Sequence, residues 1–138
     1  GLEGDSFEFV DGSGGGPTWA RNAAVTTMLS HLLREDFLQA LPVLGVDGSL
    51  GFVTDFVSDA SLAGARGQVR AKTGTYVTGD EKGLMVKGQA LGGIVDARSG
   101  RRLIFQLVVN EVPVKSIEEL MEIFQDQGRI SAILWRDF

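Results

Sequence analysis

Two apolar runs near the middle of the chain, residues 88–96 and 102–110, are separated by little more than Ala97-Arg98-Ser99-Gly100. A connection that short cannot cross over a sheet, so the runs must pair antiparallel as a hairpin. Before them, Gln68-Val69-Arg70-Ala71-Lys72-Thr73-Gly74-Thr75 alternates through its first half, which predicts a further strand pairing antiparallel with 88–96. After them the period changes. Ser116 followed by Glu119 makes a capping box, and Ile117, Leu120, Met121 and Phe124 mark one helical face. This helix is expected to reach Trp135, with an interruption at Gly128. Earlier in the chain, Val25, Met28, Leu29, Leu32 and Leu33 recur at three- and four-residue spacing. They predict an amphipathic helix over about residues 22–34, lying on the opposite side of the sheet. Phe37, Leu38 and Leu41 continue as a short helical turn up to Pro42. Strands in antiparallel hairpins with flanking helices define an α+β fold.

Glycine punctuates the rest. The nineteen glycines cluster at 12–16, 45–51, 64–67, 74–83 and 88–93, a distribution that marks turns and close backbone approaches. Phe7-Glu8-Phe9-Val10 reads as a short strand entering the loop Asp11-Gly12-Ser13-Gly14-Gly15-Gly16-Pro17. Residues 41–50 are apolar but studded with turn residues, which predicts a packed loop.

Composition narrows the function classes. A chain of 138 residues that is 43% hydrophobic can bury the core of one domain. Its formal net charge of -5 argues against a nucleic-acid or anionic-membrane binder, which would need a basic face. Without cysteine there are no disulfides, thiolate metal sites or cysteine nucleophiles. The single histidine, His31, sits among leucines on the first helix and cannot build a multi-histidine metal site. No cofactor and no metal are expected. No apolar run approaches the roughly 18 residues of a membrane span. The start Gly1-Leu2-Glu3-Gly4-Asp5 has no signal-peptide pattern and reads as the start of a piece of something larger.

Several residues invite chemistry and are better read as structure. The glycines at 12–16 fail as a dinucleotide loop because Pro17 interrupts the pattern, and Ala71 replaces the glycine that a phosphate loop needs before its lysine. Ser13 and Ser49 each follow a glycine, but neither stands in a nucleophile elbow with triad partners. Each is expected to hydrogen-bond its own turn, and Asp11 and Asp47 to close Asx-turns. Trp19 and Trp135 read as core or interface residues.

Lys72-Thr73-Gly74, followed by Thr75, is the informative motif. In order along the chain stand Val10-Asp11-Gly12-Ser13-Gly14, the loop at 41–50, Val69-Arg70-Ala71-Lys72-Thr73-Gly74-Thr75 and Phe105-Gln106-Leu107-Val108-Val109-Asn110. Together these segments resemble the C-terminal part of the low-molecular-mass class C penicillin-binding proteins, the D-alanyl-D-alanine carboxypeptidases/endopeptidases that trim peptidoglycan.

The resemblance implies that residues 1–138 are the C-terminal portion of a transpeptidase-like domain, part of a β-lactamase/transpeptidase-like three-layer sandwich. It implies a site in which Lys72 and Thr73 hold the terminal carboxylate of a D-Ala-D-Ala peptide or β-lactam. Gly74 would leave the strand edge bare, and the Thr75 N–H would serve an oxyanion hole. It also implies a periplasmic or extracytoplasmic location. Two departures stand out. No serine has lysine three positions on or asparagine two positions on. The family's Ser-x-x-Lys and Ser-x-Asn motifs are therefore expected on a missing N-terminal half or a second polypeptide, with this chain inactive alone. Secondly, the family's Asp-Gly-Ser-Gly-Leu-Ser loop reads Asp11-Gly12-Ser13-Gly14-Gly15-Gly16 here, losing its apolar anchor. Residues 76–88 look longer than usual and are expected to form a variable loop at the cleft mouth. The competing class is a non-catalytic module, either a decayed homologue or a binder of peptidoglycan peptides.

Overall fold

A computed structural model describes residues 4–14, 18–32, 35–81 and 83–138. In chain order its elements are β1 (Phe7–Glu8), β2 (Trp19–Ala20), α1 (Asn22–Leu32), α2 (Glu35–Gln39), β3 (Val69–Asp80), β4 (Gly83–Asp96), β5 (Arg102–Val109), β6 (Val112–Val114) and α3 (Ile117–Asp137). β1 and β2 form a small ribbon. The main sheet is antiparallel in the order β3-β4-β5, and β6 pairs with the start of β4.

The sheet is covered on both faces. Leu91 and Val95 of β4 join Val69 and Ala71 of β3 in a core against Ala132, Leu134 and Trp135 of α3. On the other face, Ile94 packs with Leu38 and Leu41, and a Cβ placed on Gly92 would lie 3.6 Å from Leu29 of α1. The two helical layers therefore stand on opposite sides, as the sequence predicts. Between β3 and α3 the segment at 41–67 supplies Leu44, Leu50, Val53, Phe56, Leu62 and Ala65 to the interior. Phe56 is fully buried, a contribution of about 2–3 kcal/mol by area removed from water. The packed loop at 41–50 holds as expected, with a single 3-10 turn at Gly48–Leu50.

Four expectations need correction. Residues 76–88 are not a loop: the β3–β4 ladder continues to Asp80↔Gly83, with a bulge between Tyr76 and Val77. Its tip stays paired because Val77, Leu84 and Val86 pack with Val112, Val114 and Leu120. No interruption occurs at Gly128, and α3 is continuous from Ile117 to Asp137. A Cβ at Gly128 would lie 2.2 Å from Val53 Cγ1, so this glycine permits close packing rather than ending the helix. Ile117 is 56% exposed. It opens the helix beyond the sheet, so the buried face starts at Leu120. Finally, Met28 and Leu32 of α1 are exposed while Leu29 is buried, because α1 rests mainly on β5 along one line of contact. Leu33 and Arg34, along with Gly15, Gly16 and Pro17 of the expected glycine loop, lie outside the described residues.

The cap of α3 is a variant of the expected box. Ser116 Oγ accepts from the Glu119 N–H at 3.4 Å, while the Glu119 carboxylate accepts from the Lys115 N–H at 2.8 Å. Two orphan donors at the helix entry are satisfied.

Candidate substrate-holding edge

β3 is the outermost strand of the main sheet, and only its beginning is covered. The loop at 41–50 lies beside it: Val43 bridges Arg70, Leu44 N–H donates to Val69 O at 3.0 Å, and Ala71 N–H donates to Pro42 O at 3.0 Å. The Asp47 carboxylate holds this loop in shape by accepting from Val43 N–H at 2.8 Å. Gly45, at φ 70°, turns the chain where an L side chain would be strained. Among the described residues nothing pairs with the outer edge beyond Ala71. The open edge therefore begins at Thr73.

Strand alternation decides which groups that edge presents. Lys72↔Gly92 and Gly74↔Ala90 stand opposite each other across the β3–β4 ladder. Val69 and Ala71 turn their backbone groups outward, to the loop. Continuing that alternation points the N–H and C=O of Thr73 and Thr75 outward. Lys72 is exposed, and its Nζ donates to Thr73 O at 2.6 Å, which brings an ammonium group over the open edge. Lys72, Thr73, Gly74 and Thr75 thus combine one cation, a bare backbone and outward-pointing amide donors.

The threonine side chains turn the other way, into the protein. Thr73 Oγ1 donates to Ser49 Oγ at 2.9 Å. Ser49 therefore bonds β3 rather than its own turn, because its 3-10 turn rests against the strand. Thr75 Oγ1 donates to Gln89 Oε1 at 2.5 Å. Ser13 behaves as expected: its N–H and hydroxyl both donate to Asp11 Oδ1 at 2.8 Å. These bonds, the hydroxyl's first, hold the Asp11 carboxyl below the ordinary aspartate range.

Gly74 is unlike the glycines opposite it. A Cβ at Gly92 would lie 2.0 Å from Gln106 Oε1, and one at Gly93 would lie 2.1 Å from Arg70 O. Both are required by packing. At Gly74 the nearest atom to such a Cβ would be Ala90 Cβ at 3.9 Å, an ordinary contact, and the backbone there is not left-handed. The fold has room for a side chain at Gly74 and does without one.

Past Gly74 the α1 face of the sheet opens into a cleft of about 390 Å³, bounded by Phe9, Trp19, Val25, Gly74, Tyr76 and Gln106. Thr18 also lines it, and its Oγ1 is buried with no hydrogen-bond partner among the described residues. Trp19 is half-exposed at this cleft and donates from Nε1 to Glu8 at 3.2 Å. Trp135 instead packs into the core. His31 is exposed on α1 and bonds Thr27 O within its own helix. No group of three or more His, Asp or Glu side chains comes together among the described residues, and none of their helices is long and apolar enough to cross a membrane.

Ser49, Gln89 and Gln127 are the neighbours that sequence reading did not connect to the motif. The available signal was Gln89 itself, a polar residue within an apolar strand run. A family model described as D-Ala-D-Ala carboxypeptidase 3 (S13) matches residues 17–127. The match begins after the Asp11–Gly14 turn and takes in all of β3, β4 and β5. No curated protein matches the chain.

Proposed function

The chain belongs to the D-Ala-D-Ala carboxypeptidase 3 (S13) family, and from that premise we propose that residues 72–75 form the substrate-holding wall of a serine acyl-transfer site acting on peptidoglycan peptides. Lys72 leaves Thr73 O to meet the terminal carboxylate of the peptide. Thr73 turns its side chain from Ser49 to the edge and gives its hydroxyl proton to the same carboxylate. Gly74 lets the peptide backbone lie flat against the edge. The Thr75 N–H supplies half of the oxyanion hole, and the nucleophile's own N–H supplies the other half.

The serine belongs to a Ser-x-x-Lys segment outside this chain, accompanied by a Ser-x-Asn motif. Its Oγ attacks the carbonyl carbon between the two D-alanines. The C–N bond breaks, the leaving amine takes a proton, and D-alanine departs. Water then hydrolyses the ester and returns the serine hydroxyl. Peptidoglycan lies outside the cytoplasmic membrane, so the site works extracytoplasmically.

The observation that carries this reading is Gly74, a bare strand position with no packing or conformational need for glycine. A module that merely folds would gain from a side chain there. Acylation of the complete protein by labelled penicillin, which carries the same carboxylate, is the test. Lys72→Ala is expected to slow acylation by about 10- to 100-fold, the worth of a charged hydrogen bond of about 1.5–3 kcal/mol. Gly74→Val is expected to block it. The 138-residue chain alone is expected to take no label. Parent-rate acylation by both variants would remove residues 72–75 from the site.

A further inference from the structure

Thr75 and Gln89 face each other across the β3–β4 ladder. The backbone groups of Thr75 point away from β4, so no main-chain hydrogen bond joins this pair. One register step later the ladder is broken by the bulge at Tyr76/Val77, where Lys87 is the extra residue. Bulges bend and twist a strand locally. Thr75 therefore stands one residue before the last regular pair, Tyr76↔Gly88, and makes no main-chain hydrogen bond of its own to β4.

Side chains supply what the ladder lacks. Gln89 is fully buried and Gln127 of α3 is 2% exposed. Their amides form a directed chain beneath the strand. The Thr75 hydroxyl donates to Gln89 Oε1 at 2.5 Å, Gln89 Nε2 donates to Gln127 Oε1 at 3.3 Å, and Gln127 Nε2 donates back to Gln89 O at 2.9 Å. Gln89 Nε2 also reaches Ala90 O at 3.4 Å. Each amide has its oxygen accepting and its nitrogen donating, so neither can flip without losing partners. Satisfied buried networks of this kind are stiff, because breaking any member leaves a polar group unpaired in the interior.

We infer that Gln89, braced by Gln127, is a positioning residue: it grips the Thr75 hydroxyl from beneath the sheet and so aims the Thr75 N–H outward along the edge. This rests on the reading of residues 72–75 given above and adds to it a specific dependence of the chemical step on a residue that touches no substrate. The reason is geometric. An N–H that stabilises a developing oxyanion must point where charge will appear, and small errors of placement are costly. The carboxylate grip at Lys72 and Thr73 lies on the other side of Gly74, and Thr73 is tied to Ser49 instead. Loss of the clamp should therefore affect bond-making more than initial binding.

The experiment is penicillin acylation of the complete protein, resolved into the dissociation constant of the first complex and the first-order acylation constant. Gln89→Leu is expected to lower the acylation constant about tenfold, a tenth or less of what removing an oxyanion donor outright costs, with the dissociation constant changed less than about twofold. Thr75→Val, which deletes the hydroxyl and keeps the shape, is expected to give the same loss. The double variant is expected to be no worse than either alone, the signature of one shared contact. If Gln89→Leu does not fold, Thr75→Val and Gln89→Leu/Gln127→Leu, which replaces both amides by apolar groups, carry the measurement. A folded Gln89→Leu or Thr75→Val acylating at the parent rate, or weakening binding and acylation together, would overturn the clamp. If Lys72→Ala is slowed in that same series, the substrate-holding edge stands and only the clamp falls. If Lys72→Ala is also unaffected, both fall.

Discussion

The two ends of the β3–β4 hairpin share one ladder and differ in nearly everything else. Below the bulge, Val69, Ala71, Leu91, Ile94 and Val95 are between 0% and 1% exposed, with α3 on one face and α1 and α2 on the other. Beyond it, Asp80 and Gly83 are exposed, Val77, Leu84 and Met85 are half-buried, and among the described residues only Val86 is fully covered. Pairing continues to the tip in both strands, so hydrogen bonding does not distinguish the two ends. Coverage does. Residues 72–75 lie next to the boundary, where a well-covered base meets a half-covered tip.

Overfilling the base should have the largest effect. Gly93→Val places a Cβ 2.1 Å from Arg70 O and 2.6 Å from Ala71 Cα. The strands must separate there, and a loss of about 3 kcal/mol or more is expected in urea denaturation, since backbone atoms cannot step aside. A cost below about 1 kcal/mol would mean the base is looser than its packing implies. A matched pair on β4 sharpens the contrast. Leu91→Ala, in the sandwiched core, is expected to cost about 3 kcal/mol, and Leu84→Ala, at the half-covered tip, about 1 kcal/mol. Equal losses would erase the distinction between base and tip.

The smallest effect is expected at the bulge itself. Lys87 Nζ lies 2.9 Å from Glu111 Oε2, with both side chains more than a third exposed. Exposed pairs are screened, so Lys87→Met is expected to change stability by less than about 0.5 kcal/mol. A larger, salt-sensitive loss would show that the ion pair, rather than strand geometry, holds the bulge.

Much of this fold could be read from residue order. The Ala97-Arg98-Ser99-Gly100 connection, the alternation in the first half of residues 68–75 and the Ser116 cap are local signals, and each marks an element the structure contains. The tip was not legible. Thr78, Gly79 and Asp80 are turn-like residues, and only the distant Val112, Val114 and Leu120 make a strand of them. Gly128 was misread for a similar reason: its partner, Val53, arrives from a loop far away in sequence. The site divides in the same way. The Lys72-Thr73-Gly74-Thr75 order announced an edge motif. The polar groups beneath it, Ser49 under Thr73 and Gln89 with Gln127 under Thr75, are linked across 14 to 38 residues of sequence, beyond the reach of any local pattern.

A strand edge left open can pair with any extended segment, including the same edge of a second copy. Such edges seed sheet-to-sheet aggregation unless something limits them. Here the opening is bounded on both sides: residues 42–44 cover β3 as far as Ala71, and the bulge after Tyr76 turns the tip away. Lys72 adds a charge that repels its counterpart in a like-to-like pairing. What remains is short and gives too few hydrogen bonds to hold two folded molecules together. The brevity of the open stretch thus also protects the molecule from sticking to itself.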